Sequence, residues 1–222
     1  MPASTIREFV DNAVDPRVRG FLHLPETPGG DGLVLTHGAG SNATAPLLIA
    51  LAEIFSGAGI MVLRIDLPYR QTKSFGPPGP GDAARDRAGL KNALAALKKI
   101  AAGRLFLGGH SYGGRQSSML CAEEPMLVEG LLLLSYPLHP PRKPEQQRTQ
   151  HLPDLRTPTL FVHGTRDPFA SSAELEQARK MIPAKTKILS LEGAGHDLGF
   201  KGKTKKEELT AVVLEQFRSL LQ

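Results

Sequence analysis

Six short and nearly continuous apolar segments dominate the sequence, and longer segments with helical periodicity separate them. Val, Ile, Leu and Phe fill most positions of these six, which are residues 32–38, 60–68, 104–110, 130–138, 158–164 and 186–193. A strand that is apolar at nearly every position is buried on both faces, as in a parallel sheet covered by helices. The pattern therefore predicts that these segments form one parallel sheet.

Helices are predicted between the strands. In the segment 82–102, apolar residues recur on one helical face, namely Leu90, Leu94, Leu97 and Ala101. Further helices are predicted at 45–59, directly after Ser111, at about 171–181 and at about 205–221. Because strand–helix–strand crossovers are right-handed, this order predicts a doubly wound, mostly parallel sheet with helices on both faces. Residues 18–25 are expected to add an antiparallel edge strand.

The length of 222 residues suits one α/β domain that spans residues 1–222. Two segments resist assignment to helix or strand. Residues 74–82, rich in Pro and Gly, are predicted to form a stiff loop. Residues 137–155 are interpreted as a connection over the carboxyl edge of the sheet, with a polyproline ligand for a partner domain as the alternative. Neither segment is long enough for a second domain, and we expect no large lid.

Charge and composition argue against several classes of protein. The net charge is +5, but the basic residues are scattered and Trp is absent, so nucleic-acid binding is not expected. The densest basic cluster, residues 201–208, ends in two acids. There is no apolar run of about 18 residues and no signal-peptide pattern, and the single cysteine, Cys121, excludes an intramolecular disulfide. We expect a soluble cytoplasmic protein without membrane association, in which Cys121 is a small buried residue.

Ser111 stands in an unusual setting. It follows the apolar segment 104–110, precedes a predicted helix and is flanked in the pattern Gly109-x-Ser111-x-Gly113. A strand–turn–helix of this kind is typical of a nucleophile elbow, in which the glycines permit close packing and the serine is strained and exposed. The alternative is that Ser111 is an ordinary serine of a glycine-rich turn.

A serine hydroxyl needs a base within hydrogen-bond reach, and the base needs an orienting acid. His196 and Asp167 follow two later strands, so both are expected at the same sheet edge as Ser111. They are the predicted base and acid, and the chain order Ser–Asp–His is typical of one class of hydrolase. Asp66, at the end of another strand, is the rival acid. Asp197 is expected to be a local loop anchor.

Hydrolysis by a serine nucleophile also needs donors for the oxyanion. One predicted donor is the backbone N–H of Tyr112, at a helix N-terminus. The other is expected from the small residues after the segment 32–38, either Ala39 or the neighbouring Gly40.

Four motifs together carry a family resemblance: HGAG (37–40), GGHSYGG (108–114), HGTRDPF (163–169) and GAGHD (193–197). The chain resembles the α/β-hydrolase superfamily over essentially its whole length, and its size resembles the compact, dienelactone-hydrolase-like members. Three segments carry a closer likeness: RIDLPYR (64–70), GGHSYGGR (108–115) and SYPLHPPRKP (135–144). That likeness is to a branch that includes a testis-expressed protein family and a subunit of the non-specific-lethal chromatin complex. The resemblance implies the α/β-hydrolase fold and the triad, and it implies no substrate.

The predicted function is hydrolysis of a small soluble carboxylic ester or thioester through an acyl-enzyme. Two alternatives remain: a small peptidase or amidase with the same triad, and a non-catalytic interaction protein on the hydrolase fold. No cofactor is expected, because nucleotide-binding glycine motifs are absent from the sequence. No metal is expected either, since the histidines lack ligand spacing, and His37 and His110 are interpreted as structural.

Five basic residues are expected near the mouth of the site: Arg64, Arg70, Arg115, His139 and Arg142. One interpretation is that they are surface charges that form salt bridges. The other is that they bind an anionic acyl or leaving group of the substrate.

Overall fold

The computed structural model describes residues 4–200 and 206–222, and an eight-stranded sheet runs through its centre. The strands are β1 (Thr5–Asp11), β2 (Val18–Leu24), β3 (Gly32–Thr36), β4 (Met61–Ile65), β5 (Leu105–His110), β6 (Gly130–Leu134), β7 (Thr159–Gly164) and β8 (Thr186–Leu191). Their order is β1-β2-β4-β3-β5-β6-β7-β8. The pairs β1–β2 and β2–β4 are antiparallel and the other pairs are parallel, which confirms the predicted mostly parallel sheet.

Helices cover both faces of this sheet. They are α1 (Pro46–Gly57), α2 (Pro68–Thr72), α3 (Asp82–Lys98), α4 (Tyr112–Glu123), α5 (Ser172–Arg179) and α6 (Lys206–Leu220), with a 3₁₀ turn at Leu152–Asp154. The side chains of α1 and α6 pack into one apolar core, and those of α3, α4 and α5 into the other. Neighbouring residues of β3 alternate between the two cores, since Leu33 and Leu35 join the first and Val34 the second. This two-core packing confirms the doubly wound architecture.

Two elements were not predicted. Strand β1 is mostly exposed and pairs along its whole length with β2, from Thr5 opposite Leu24 to Asp11 opposite Val18. Its backbone hydrogen bonds, more than its side chains, hold it in place. The short helix α2 begins at Pro68, a residue that suits the first position of a helix. The predicted strand 60–68 therefore ends earlier than expected, at Ile65.

The two unassigned segments, 74–82 and 137–155, consist mainly of bends, turns and irregular loop. The connection 137–155 packs Leu138, Leu152 and Leu155 into the core, which agrees with its interpretation as a connection. Residues 201–205 lie outside the described residues. They include part of the basic cluster 201–208 and the predicted start of the last helix. In the part of the chain that the structure describes, no separate lid covers the sheet, and no helix is long and apolar enough to cross a membrane.

The turn between β5 and α4 is packed so tightly that two of its positions require glycine. A Cβ on Gly109 would lie 2.6 Å from the Gly113 carbonyl carbon, and one on Gly113 would lie 2.5 Å from the His37 oxygen. Between them Ser111 has φ 50° and ψ −114°, a strained conformation for a residue with a side chain. The strand, tight turn and helix predicted around Ser111 are therefore all present.

This close approach makes Gly113→Ala strongly destabilising. The added methyl group would collide with backbone at 2.5 Å and with Thr36 Cγ2 at 2.6 Å, so β3 and α4 would have to separate. We expect the free energy of unfolding, measured by urea titration, to fall by about 3 kcal/mol. The matched control is Gly40→Ala, whose Cβ would meet no heavy atom within 4 Å. Equal stability of the two variants would contradict this packing.

Candidate active site

Three loops at the carboxyl ends of parallel strands bring together a serine, a histidine and an aspartate. Ser111 follows β5, Asp167 follows β7 and His196 follows β8. His196 Nε2 lies 2.8 Å from Ser111 Oγ, and His196 Nδ1 lies 2.8 Å from Asp167 Oδ2. With the proton on Nδ1, His196 donates to the carboxylate and accepts from the serine hydroxyl. This arrangement can draw a proton from the serine.

The surroundings of Asp167 and His196 hold both side chains in place. The Asp167 side chain is fully buried, and its Oδ1 accepts a 2.9 Å hydrogen bond from the Phe169 N–H. The Phe169 ring lies 4.3 Å from the His196 ring, centroid to centroid. On another side, His110 Nε2 is 2.8 Å from the His196 carbonyl oxygen. The imidazole therefore has little freedom to turn away from Ser111.

The other two aspartates considered from the sequence, Asp66 and Asp197, accept hydrogen bonds from loop backbone. Asp66 Oδ1 accepts a 2.7 Å hydrogen bond from the Ala43 N–H and lies 4.0 Å from His37 Nε2. It is therefore tied to the loop after β3 and not to His196. Asp197 Oδ1 accepts a 3.0 Å bond from the Gly199 N–H, as expected for a loop anchor.

Tyr69 and Arg70 on α2 orient the loop after β3. Tyr69 Oη and Arg70 Nη2 donate to the Ala39 carbonyl at 2.8 and 2.9 Å, and the Gly38 carbonyl accepts from the Ser41 N–H at 3.0 Å. In a planar trans peptide, the N–H points away from the C=O of the same unit. The N–H groups of Ala39 and Gly40 therefore point away from the groups that donate to the Gly38 and Ala39 carbonyls.

A cavity of about 540 Å³ lies beside Ser111, within the roughly 300–1,000 Å³ usual for small-molecule sites. Ala39, Gly40, Ser111 and His196 line it. Tyr112 is the first residue of α4, so its N–H has no acceptor within the helix. The rest of the wall is largely apolar and includes Ala45, Pro46, Leu47, Leu48, Phe169 and Phe200.

Two of the five basic residues expected at the mouth, Arg64 and Arg70, are buried and hydrogen-bond to other parts of the chain. Arg64 is 3% exposed and donates to His23 Nε2 at 2.8 Å and to the Ala43 carbonyl. Arg70 is 8% exposed and donates to backbone carbonyls of Ala39, Ser41, Lys73 and Gly76. Both guanidinium groups bond to the protein itself and are neither surface charges nor part of the cavity wall, so neither of the two interpretations made from the sequence applies to them.

The other three also lie away from the cavity wall. His139 is buried, with Nδ1 2.8 Å from the Pro140 carbonyl oxygen and Nε2 3.4 Å from Glu174. Arg142 is exposed in a turn with φ 62°. Arg115 points from α4, and its buried Nε has no acceptor among the described residues. None of the five lines the cavity.

Sequence reasoning missed the residues that shape the site around the reactive groups. Tyr69 and Phe169 are the clearest cases, since one orients the loop after β3 and the other packs on His196. Phe169 follows Asp167 within the motif HGTRDPF, and this position could have pointed to it. Leu47, Leu48 and Phe200 left no such signal, because apolar residues near a helix end also suit the core.

Two histidines beside the cavity are neutral at pH 7. Burial lowers the pKa of His37 to about 4, and burial lowers that of His110 to about 4 as well. His37 Nε2 accepts a 3.1 Å hydrogen bond from the Leu67 N–H. Burial also raises the pKa of the Cys121 thiol to about 12, so this residue is a protonated thiol in the core. Among the described residues, no cluster of three or more His, Cys, Asp or Glu could hold a metal ion.

The lowered pKa values of His37 and His110 predict a loss of stability in mild acid. Between pH 6.5 and about 4, the unfolded chain binds protons that the folded chain excludes, so the free energy of unfolding falls as pH falls. Each histidine contributes a slope of up to about 1.4 kcal/mol per pH unit. Urea titrations at pH 7 and pH 5 measure the difference. Equal or greater stability at pH 5 would contradict the neutral, buried state of these rings.

Comparison with known protein families assigns the chain to one of them. Residues 30–220 match the model of the alpha/beta hydrolase domain. The chain belongs to the α/β hydrolase family. The compact size and motifs noted in the sequence agree with this membership, and the mostly parallel sheet is the α/β-hydrolase fold.

Solved α/β hydrolases share this fold over nearly the whole chain. A dienelactone hydrolase from Anabaena variabilis is 22% identical, with a TM-score of 0.77 and coverage of 99% of both chains. Est1E from Butyrivibrio proteoclasticus, solved with ferulic acid, is 18% identical, with a TM-score of 0.72 and coverage of 98% of this chain and 96% of that one. XC6422 from Xanthomonas campestris, described as a serine hydrolase without lid, is 13% identical, with a TM-score of 0.69 and coverage of 97% and 94%. At these identities the likeness establishes the fold alone.

Proposed function

We propose that this α/β hydrolase cleaves a small soluble carboxylic ester or thioester through an acyl-enzyme on Ser111. The observation that carries the proposal is the chain of two 2.8 Å contacts that links Ser111 Oγ, His196 and Asp167. The cavity that opens beside the serine gives a carbonyl substrate a place to bind. Small esters suit the site because no lid covers it in the described part of the chain.

Acylation begins with attack of Ser111 Oγ on the substrate carbonyl carbon, while His196 Nε2 takes the hydroxyl proton. Asp167 stabilises the imidazolium through the Nδ1–H hydrogen bond. The carbonyl oxygen becomes an oxyanion, which the N–H groups of Tyr112 and of Ala39 or Gly40 stabilise. One such donor is typically worth about 3 kcal/mol of transition-state stabilisation.

Collapse of the tetrahedral intermediate breaks the bond to the leaving oxygen or sulfur, and His196 returns its proton to that atom. Deacylation repeats the sequence with water: His196 takes a proton from water, the hydroxide adds to the acyl carbon, and Ser111 leaves with the proton. The serine and histidine end in their starting states. No group from outside the chain is needed except water.

A panel of substrates that all carry the same acyl group and differ in the leaving group tests the proposal. We expect p-nitrophenyl esters and S-acyl thioesters to be hydrolysed faster than the matching p-nitroanilides and aminopeptides. Preferred cleavage of the amides would favour the alternative of a small peptidase. Absence of turnover on every substrate by the folded protein would favour an interaction protein on the hydrolase fold. The likeness to the testis-expressed and chromatin-complex branch, and a cytoplasmic location, remain proposals that this panel does not address.

A further inference from the structure

Asp86, on helix α3, is a buried carboxylate that the proposed mechanism does not use. It is fully buried, and the cation beside it in the sequence, Arg87, forms its salt bridge with Glu123. Burial raises the pKa of the Asp86 carboxyl, because a charge is poorly solvated there. A buried carboxylate is costly unless hydrogen bonds satisfy its oxygens, so the partners of Asp86 indicate what it holds.

Both oxygens of Asp86 accept hydrogen bonds, and the two donors belong to different helices. Oδ2 accepts from the Tyr112 hydroxyl at 2.8 Å, and Oδ1 accepts from the Tyr69 N–H at 3.1 Å. Burial raises the pKa of the Tyr112 phenol, so this hydroxyl stays protonated and can donate. The rings of Tyr69 and Tyr112 also meet edge to face, with their centroids 5.8 Å apart. One carboxylate therefore ties the first residue of α4 to the start of α2.

This bridge leads to both predicted sets of oxyanion donors. Tyr112 carries one of the N–H groups itself, so a hydrogen bond to its side chain restrains the first turn of α4. Tyr69 leads to the other set, because its hydroxyl donates at 2.8 Å to the Ala39 carbonyl oxygen. Helices α2 and α3 approach closely, since a Cβ on Gly89 would lie 2.5 Å from Pro68 Cγ. Asp86 is thereby fixed against α2.

We infer that Asp86 is a positioning residue, which holds the N–H of Tyr112 and the loop that carries Ala39 and Gly40 in a fixed relation to each other. This inference rests on the proposed hydrolase function. An oxyanion forms in acylation and again in deacylation, and its donors must all reach the same oxygen atom. Removal of one donor typically costs about 10²- to 10³-fold in kcat, so displacement of a donor should cost less, about tenfold.

Two variants break the bridge and a third preserves it. Tyr112→Phe removes one hydroxyl and leaves the backbone N–H in place, and Asp86→Leu removes both acceptor oxygens. For each we expect kcat for a p-nitrophenyl ester to fall about tenfold with KM within about threefold, since both chemical steps pass through an oxyanion. Asp86→Asn should keep kcat within about threefold of the parent, because its amide can accept from the Tyr69 N–H and donate to the Tyr112 oxygen.

A trifluoromethyl ketone separates positioning from a general loss of structure. Ser111 Oγ bonds to its carbonyl carbon, His196 takes the hydroxyl proton, and the carbonyl oxygen becomes an oxyanion held by the same donors. The inhibition constant Ki therefore reports on the oxyanion without turnover. We expect Ki to rise about tenfold in Tyr112→Phe and in Asp86→Leu, in step with the loss of kcat.

The matched control is Tyr136→Phe, which removes the hydroxyl of another buried tyrosine. That hydroxyl lies 3.3 Å from the Arg148 carbonyl oxygen and 3.3 Å from His151 Nε2, outside the bridge. We expect its kcat and Ki to stay within about twofold of the parent, even where urea titration shows a loss of stability. An equal loss of kcat in Tyr136→Phe and Tyr112→Phe would overturn the inference.

The double variant Asp86→Leu/Tyr112→Phe tests whether the two side chains act through one another. It leaves no buried Tyr112 hydroxyl without a partner, so its free energy of unfolding should be no lower than that of Asp86→Leu. Its kcat should nevertheless remain about tenfold below the parent, as in each single variant. A loss of about a hundredfold, the product of two independent effects, would overturn the coupling. Recovery of the parent's kcat together with stability would reduce the bridge to a structural contact and would also overturn it.

The order of measurements separates this inference from the proposed function. Hydrolysis of the ester and labelling of Ser111 by a fluorophosphonate are measured first on the parent. If the folded protein shows neither, the hydrolase proposal fails and this inference fails with it. If both occur, and Tyr112→Phe and Asp86→Leu keep the parent's kcat and Ki, only the inference about Asp86 fails.

Discussion

Replacing Ser111 with alanine is expected to lower kcat for ester hydrolysis by about 10³- to 10⁶-fold. The variant keeps the oxyanion donors and the cavity but loses the atom that attacks the carbonyl carbon. In the parent protein the hydroxyl oxygen of Ser111 lies 2.8 Å from His196 Nε2, and no other described serine makes that contact. Residual activity would reflect direct attack of water within the preorganised site.

The matched control for this variant is Ser135→Ala. Ser135 also has φ 50°, follows the neighbouring strand β6 and is fully buried, but its hydroxyl has no hydrogen-bond partner among the described residues. We expect its activity to stay within a few-fold of the parent. Circular dichroism and urea titration establish that both variants fold. Equal loss of activity in the two, or full activity in Ser111→Ala, would contradict the assignment of the nucleophile.

Asp167→Asn is expected to lower kcat about 10⁴-fold while leaving the fold intact. The carboxylate accepts the Nδ1–H of His196 at 2.8 Å and stabilises the imidazolium that forms during proton transfer. An amide at this position is neutral, and its NH₂ group can favour the wrong tautomer of the ring. The effect should fall mainly on kcat, because Asp167 is not among the residues that line the cavity.

Asp66→Asn is the matched control, since Asp66 was the rival acid. Its carboxylate bonds to the Ala43 N–H, and an asparagine oxygen can keep that bond. We expect kcat within about tenfold of the parent, because Asp66 lies 4.0 Å from His37 and is not in contact with His196. A larger loss in Asp66→Asn than in Asp167→Asn would assign the acid to β4 and contradict the geometry described above.

The sheet was predictable because burial on both faces leaves a direct mark on the sequence. Strands β3, β4 and β6 are buried at every position and consist mostly of apolar residues. Strand β1 lacks this mark, since five of its seven positions are exposed and the rest only half-buried. Helix α2 is too short to show a helical period, and only Pro68 at its start indicates it.

The reactive groups were predictable for a different reason. Ser111 and Asp167 follow buried strands, His196 follows the half-buried edge strand β8, and parallel strands bring their carboxyl ends to one edge of the sheet. The direction of a long side chain is not fixed in this way. The guanidinium groups of Arg64 and Arg70 point inward, and each bonds to at least one carbonyl that lies more than 20 residues away in the sequence, at Ala43 and at Ser41. Their partners depend on loop geometry, which periodicity and motif spacing do not determine.

The central claim is that Ser111 is an activated nucleophile. Reaction of the folded protein with a fluorophosphonate, followed by peptide mass spectrometry, tests it most directly. We expect one covalent adduct, on the peptide that contains Ser111, and we expect the Ser111→Ala variant to remain unlabelled. A folded protein that forms no adduct, or a Ser111→Ala variant that is labelled as well as the parent, would contradict the claim.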